Sequence, residues 1–358
     1  MKEKVMSLIQ FWRRKYKFLS LTRQYQKNIK EMGATCELKN LTKEQSDEIQ
    51  KYYMEHYGKK IKLDCHRYYY SVNDLFSVKY IPTYIYYSQI TPLFNDVKMR
   101  VVYSDKNMSD RLFPDMLQPR GIIKNMNGFF YHEEKPIDRE TAIGLCHNLP
   151  DAVIKHSIDS CQGESVIRFS SIHGITSSQN RTVKELFDSY GKNFLVQEAV
   201  SQHERLGSLN PSSLNTIRIM TFYRDNNEVV PLFAVLRMGR KGVKVDNASA
   251  GGLYCGINEE GKLAKYAYTL KPFGKYLTSD SGVVFEGFEV PRFGDLVAKV
   301  REMHQMLPYA RLIGWDMSVD ENNNIVLIEI NPTDTGVFQA TGPAFGDYTE
   351  EILHAIRK

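Results

Sequence analysis

Gly314–Gly336 reads GWDMSVDENNNIVLIEINPTDTG, two strand-like runs separated by a polar turn. Successive side chains of a strand point to opposite faces. In the first run Ile313, Trp315, Met317 and Val319 therefore share one face and Asp316 takes the other. In the second, Val326, Ile328 and Ile330 lie opposite Leu327, Glu329 and Asn331. Symmetric pairing about Asn322-Asn323 sets Val319 across from Val326 and Asp316 across from Glu329, with Asn331 two positions along the same face. Opposed carboxylates repel, and VLIEI is apolar enough to be buried, so the charge needs compensation. A divalent cation with oxygen ligands supplies it, since Mg²⁺ takes one or two carboxylates and completes its shell with water and phosphate. Asp316, Glu329 and Asn331 are thus candidate metal ligands; a solvent-facing hairpin with an ordinary polar face is the competing reading.

Single charges on other apolar strands extend the pattern. In LNTIRIMTFY, residues 214–223, Thr216 and Arg218 share a face opposite Ile217 and Ile219. The planar fork of Arg218 suits a carboxylate or phosphate, with a structural ion pair as competitor. Residues 152–169 read strand, loop, strand, with Lys155 on the first strand and a small, polar loop around Gly163 and Ser165 whose backbone N–H groups suit phosphate oxygens. Neither GxxxxGK[ST] nor GxGxxG occurs there, which removes the P-loop and Rossmann readings. The strand NFLVQEAV, residues 193–200, ends in Glu198 and Val200, an edge suited to a purine amine or simply to solvent. The stretch VDNASAGGLYCG is small and glycine-rich, so Asn247, Ser249, Gly251 and Gly252 allow close approach of backbone to a ligand.

Upstream, VKMRVVY and YIPTYIYYSQI lean towards β structure, with Val101-Val102-Tyr103 closing a strand. Asp105 then caps a helix that begins at Lys106, a lysine placed to face a phosphate or base. Helices are expected over residues 42–56, 138–149, 182–190 with Gly191 as stop, 291–307 and 349–358, and a hairpin turn at Asn127-Gly128.

The 358 residues, 42% hydrophobic, suffice for a full core in two or three subdomains. Five scattered cysteines without a CxxC pair argue against a disulfide scaffold or structural zinc and fit a reducing cytosol. No apolar run approaches the roughly 20 residues of a membrane span, and no signal-peptide core follows the N-terminal charges, so neither export nor integral insertion is expected. The net charge of +5 is concentrated in residues 1–30, where Lys2, Lys4, Arg13, Arg14, Lys15, Lys17, Arg23, Lys27 and Lys30 meet only Glu3. The body has no global basic field and no nucleic-acid partner is expected. Residues 1 to about 33 read as a basic amphipathic helix with Val5, Leu8, Ile9, Trp12, Tyr16 and Leu19 on one side. Peripheral contact with an anionic membrane, at the inner face, competes with packing on the helix's own domain.

Taken in order, Asp105-Lys106, VIKHSIDSCQGESV, LVQEAV, LNTIRIMTF, DNASAGGL and GWDMSVDENNNIVLIEINP resemble the successive motifs of ATP-grasp proteins, in particular the sugar-transfer-associated group linked to cell-surface polysaccharide. The resemblance covers roughly residues 100–355. It implies an α+β fold of two subdomains clasping ATP, at 105–200 and 201–358, preceded by the basic segment 1–40 and a smaller accessory domain at 41–104. It further implies that Lys106 and Lys155 contact nucleotide or phosphates, the Gly163–Ser165 loop covers them, Glu198 and Val200 hold adenine, and Glu204 meets ribose. Asp316, Glu329 and Asn331 would bind Mg²⁺, or Mn²⁺ in its place, while Arg218 and Asn247 line the reaction centre. His156 stands where many relatives have proline, and Gly314-Trp315-Asp316 replaces the Gly-Arg-x-Asp of D-alanine ligases. Carboxylate activation by ATP is the implied chemistry, with a small-molecule carboxylate and an amine or sugar-linked acceptor as partners. A phosphotransferase on the same fold and a non-catalytic nucleotide-binding accessory protein are the alternatives.

Overall fold

The structure, a computed structural model, describes residues 2–158, 166–242, 251–270, 273–333 and 336–357. The chain forms two compact units, Met1–Val97 with Lys271–Gly274 and Gly336–Lys358, and Lys98–Leu270 with Lys275–Thr335. The first is helical. Lys43–His56 starts at a capping box, with the Thr42 side chain accepting from the Gln45 backbone and the Gln45 side chain accepting from that of Thr42. Asp64–Asn73 buries Tyr68, Tyr69 and Val72. The tyrosine-rich segment expected to lean towards strands is instead a helical run, Thr83–Ile85, a π turn Tyr86–Ile90, and Thr91–Phe94. Aromatic and branched residues favour any surface that packs them, and here Ile85, Tyr86 and Ile90 are buried from a helix. Met99–Tyr103, read as the end of a strand, is helical as well, in the second unit.

Gly336–Lys358, expected within the final subdomain, belongs to the first unit. Gln339 acts as a surrogate peptide there, accepting from the Ile81 N–H at 2.8 Å and donating to the Ile81 carbonyl at 2.9 Å. The helix Thr349–Ile356 buries Ile352 and Leu353.

The second unit holds two antiparallel sheets. In spatial order the six-stranded sheet runs Lys135–Ile137, Phe129–His132, Gly121–Met126, Phe194–Glu198, Ala152–His156 and Ile167–Phe169. Helices Arg139–Leu145 and Val183–Tyr190 give it a core in which Ile143, Leu186 and Phe187 meet Ile154, Phe194 and Val196. Leu195, Gln197, Lys155 and Lys124 are left to line a cleft on the other face. The seven-stranded sheet includes, side by side, Val229–Met238, Thr216–Tyr223, Leu312–Val319 and Ile325–Asn331. Leu296, Val300 and Met303 of helix Phe293–His304 pack with Ile217, Ile219, Trp315 and Met317, so the charged alternates of those strands share the face away from this core.

Candidate active site

The hairpin places Asp316 opposite Glu329 and Gly314 opposite Asn331, but by a different route from symmetric pairing. Asp320 accepts from the N–H groups of Asn322 (3.0 Å) and Asn324 (2.7 Å), and Asn323 adopts φ 63°, making a longer turn. Val319 consequently faces Ile325, not Val326, and a bulge at Ile328 restores the register before the carboxylates. The extra residue also changes faces: Leu327 joins Ile330, Trp315 and Met317 in the core, while Ile328 and Glu329 line the cleft.

Asp316 is flanked on its other side by Arg218, its register partner on the neighbouring strand. Arg218 Nε lies 2.5 Å from Asp316 Oδ1 and Nη2 lies 2.8 Å from Oδ2. Arg237, one strand further out, brings Nη1 within 3.1 Å of both oxygens. Asn331 Nδ2 donates to Oδ2 at 3.3 Å. Desolvation opposes ionisation of Asp316, yet the two guanidiniums prevail and hold it ionised at about 2. The compensation expected from a cation is thus provided for Asp316 by arginines, because period-2 alternation shows which residues share a face but not which strand lies beside them. The donor set of two carboxylates and an amide oxygen suits a hard divalent cation. Among the described residues, however, no three His, Cys, Asp or Glu groups already form a cage for one.

Glu329 pairs instead with Lys106, whose Nζ is 3.1 Å from Oε1. Lys106 is set by its own backbone, whose N–H donates to the Ser157 carbonyl at 3.0 Å, and by Asp105, which caps the turn through the Asn107 N–H. Lys155 comes from the strand that ends just before Ser157 and is buried. Burial pushes its ammonium down to about 8, the Glu329 charge opposing this and the Lys106 charge reinforcing it. Lys106, Lys155 and Glu329 line an open cleft of about 490 Å³ with Leu195, Gln197 and Ile328.

Two charges in this region escape the motif reading. Arg237 lies between Leu236 and Met238, and Lys124 lies in the apolar strand GIIKNM. Each is a lone charge on a buried strand, the signal that singled out Arg218 and Lys155. Lys124 lines the cleft and pairs with Asp110 at 2.6 Å and with Glu134. Glu198 is half exposed and pairs with Arg120, at 3.0 Å to Nε and 2.5 Å to Nη2; its neighbour Gln197 lines the cleft. Val200 is half-buried just beyond that strand, and Glu204 is exposed in the first turn of Glu204–Leu209. Gly163, Ser165, Asn247 and Ser249 lie outside the described residues. Gly251, beyond the last two, has φ 88°, a left-handed conformation that suits glycine.

A family model described as sugar-transfer associated ATP-grasp matches residues 87–344. Among solved structures, the biotin carboxylase domain of the Hydrogenobacter thermophilus 2-oxoglutarate carboxylase, in complex with MgADP, ADP and bicarbonate, is similar at 12% identity and a TM-score of 0.42, over 74% of this chain and 47% of that one. The ATP-grasp ligase PsnB, complexed with a phosphomimetic variant of its minimal precursor, Mg and ADP, gives 11% identity and 0.40, over 74% and 61%. N5-carboxyaminoimidazole synthetase from Staphylococcus aureus, complexed with ADP, gives 10% and 0.39, over 71% and 52%. The chain therefore spans less than two thirds of each of these proteins, and likenesses at such scores add no weight to the family match. No curated protein sequence matches the chain. With the family match extending over most of the sequence, including both sheets and the cleft, the protein belongs to the sugar-transfer associated ATP-grasp family.

Proposed function

We propose that this chain is an ATP-dependent ligase that activates a small-molecule carboxylate as an acyl phosphate for attack by an amine or sugar-linked nucleophile, in the making of cell-surface polysaccharide. The observation that carries the reading is the meeting of Lys106, Lys155 and Glu329 in one cleft, with Arg218 across from Asp316 and Asp316 across from Glu329 on the sheet. Phosphoryl transfer is served by positioning and charge neutralisation more than by covalent catalysis. Lys106 and Lys155 hold the phosphates in this reading, under a cover formed by Gly163 and Ser165. Glu198 exchanges Arg120 for the purine amine, Val200 borders adenine, and Glu204 meets ribose. Arg218 and Asn247 orient the acid. Mg²⁺, with Mn²⁺ as substitute, held by Asp316, Glu329 and Asn331, supplies charge neutralisation at the phosphates. Among the described residues burial disfavours a thiolate nucleophile, pushing Cys36 up, Cys65 up to about 11, and Cys146 and Cys255 up to about 12. The basic N-terminal helix is the proposed contact with an anionic membrane surface.

Incubation with Mg·ATP, hydroxylamine and a panel of carboxylic acids tests the chemistry. A hydroxamate should form together with ADP for the right acid, and Arg218→Ala should suppress it. A phosphate ester accumulating with ADP, and no hydroxamate with any acid, replaces the ligase by a phosphotransferase. Failure to bind Mg·ADP removes both.

A further inference from the structure

Behind the cleft, the turn that carries Lys106 and the strand that carries Lys155 are joined by a closed circuit of hydrogen bonds. The Lys106 N–H donates to the Ser157 carbonyl at 3.0 Å, and the Ser157 N–H donates to the Asn193 carbonyl at 2.7 Å. The Asn193 N–H donates to Asn125 Oδ1 at 3.1 Å. Asn107 Nδ2 donates to the Asn125 carbonyl at 3.0 Å, which returns the circuit to the residue after Lys106. Asn107, Asn125 and Ser157 are each fully buried. Among the described residues, each nevertheless keeps one side-chain atom without a hydrogen-bond partner: Asn107 Oδ1, Asn125 Nδ2 and Ser157 Oγ. Three unmade bonds on one buried circuit are costly, and native interiors satisfy such groups with protein or with ordered water.

The chemistry of the three atoms restricts what can lie among them. The Asn125 amide is fixed in orientation, because Oδ1 already accepts from the N–H groups of Gly128 and Asn193, both at 3.1 Å, so Nδ2 is a donor. Asn107 is fixed the other way: its Nδ2 is engaged by the Asn125 carbonyl, so Oδ1 is an acceptor. The Ser157 hydroxyl can be either. A cation would face the N–H of Asn125, and an anion would face the Asn107 oxygen. A water molecule answers one donor, one acceptor and one group that is both, with the roughly three bonds typical of a buried water.

We infer that Asn107, Asn125 and Ser157 enclose one buried water, and that this water pins the Lys106 turn in register with the strand that carries Lys155. The water accepts from Asn125 Nδ2, donates to Asn107 Oδ1 and shares a hydrogen with Ser157 Oγ. The three residues are then positioning residues: they stand behind the cleft and set the backbone from which both ammonium groups reach it. The water site stands on these contacts by itself; its use in holding ATP phosphates rests on the ligase reading and deepens it.

High-resolution crystallography of the full chain tests the site. One ordered water should lie about 3 Å from each of Asn107 Oδ1, Asn125 Nδ2 and Ser157 Oγ, and side chains that pair directly with protein groups instead would overturn it. Calorimetry tests the use. Asn125→Asp keeps the shape and both backbone contacts but turns the donor towards the water into an acceptor. At a pH of about 8 it should weaken ATP roughly tenfold and leave adenosine within about twofold of the wild type. As the pH is lowered to about 6, the ATP deficit relative to the wild type should shrink, because a protonated carboxyl donates as the amide does. Altered packing alone has no such pH profile. Ser157→Ala removes one of the three bonds and should weaken ATP about threefold with adenosine unchanged. It carries the decision if Asn125→Asp does not fold. No ATP deficit, an equal loss of ATP and adenosine, or a deficit that is flat with pH overturns the positioning role. A wild type that holds the water but binds no ATP removes the ligase reading and the phosphate role with it, and leaves the water site in place.

Discussion

Lys155 reaches the cleft from a strand whose next residues make the backbone contact that fixes Lys106, so the two lysines are positioned by one strand end. A buried ammonium lowered to about 8 gains from any phosphate placed beside it. Lys155→Ala should weaken ATP by about 1.5–3 kcal/mol, the worth of a hydrogen bond to a charged group, and leave adenosine affinity unchanged. Calorimetry with both ligands checks this, and equal loss for the two would mean that the strand had collapsed. The same residue sets a pH dependence. Above about 8 the empty protein holds Lys155 neutral, so phosphate binding must recruit a proton, and the ATP-to-adenosine affinity ratio should fall as pH rises through that value.

At the scale of elements, the bulge at Ile328 and the N-terminal helix show how local geometry decides use. Without the bulge, the five-residue turn would leave Asp316 opposite Ile328, one position out of line with Glu329, and would set Glu329 opposite Trp315 on the core face. The helix Lys2–Gly33 divides in its roles. Its second half is tied to its own unit: Tyr25 stacks on Tyr87 at 4.9 Å, Gln26 accepts from Lys62 at 2.8 Å, and Ile29 is buried. Removal of residues 1–33 would expose that packing, so a deletion of residues 1–17 is the cleaner probe of membrane contact. It should abolish sedimentation with anionic liposomes at low salt and leave the unfolding temperature within a few degrees of the wild type, as surface changes of about 0.5 kcal/mol do. Liposome binding that survives the deletion would locate the contact elsewhere or remove it.

The two units each contain a buried neutral histidine, and these contribute to the acid sensitivity of the molecule. His304 sits in a directed chain, with Trp315 Nε1 donating to Thr221 Oγ1 at 2.8 Å, Thr221 donating to His304 Nδ1 at 2.7 Å, and His304 Nε2 donating to the Ala310 carbonyl at 2.7 Å. His66 donates Nε2 to the Val78 carbonyl at 3.2 Å and leaves Nδ1 buried without a partner. Burial pushes both imidazoles from 6.5 down to about 4. The sign follows from linkage: above about 6.5 both states are neutral and nothing changes, and below it the unfolded chain takes protons that the folded one refuses. Stability should therefore fall as pH drops from 6.5 to 4, by an amount on the order of 3 kcal/mol per histidine. Asp316, held at about 2, keeps its contribution across that window. Denaturant unfolding at a series of pH values measures the slope, and a flat profile between pH 7 and 4.5 would rule out neutral burial of both.

Much of the site was legible along the chain because its chemistry is carried by strands. Period-2 alternation isolates Asp316, Glu329, Arg218 and Lys155 as lone charges on apolar runs, and the order of those runs is that of an ATP-grasp protein. Caps were equally local: Thr182 and Glu185 form a capping box that any reader of residues 182–185 can place. What required the tertiary structure was everything that depends on neighbours from distant sequence. The helical state of residues 83–94 follows from where their side chains are buried, not from their propensities. The return of Gly336–Lys358 to the first unit depends on Gln339 meeting Ile81. The sequence alone determined that a charge sits on a buried face at position 316. Only the assembled sheet decided that two arginines, from the adjacent strand and the one beyond it, answer that charge, because strand order is a property of the packed whole and leaves no mark in any single strand.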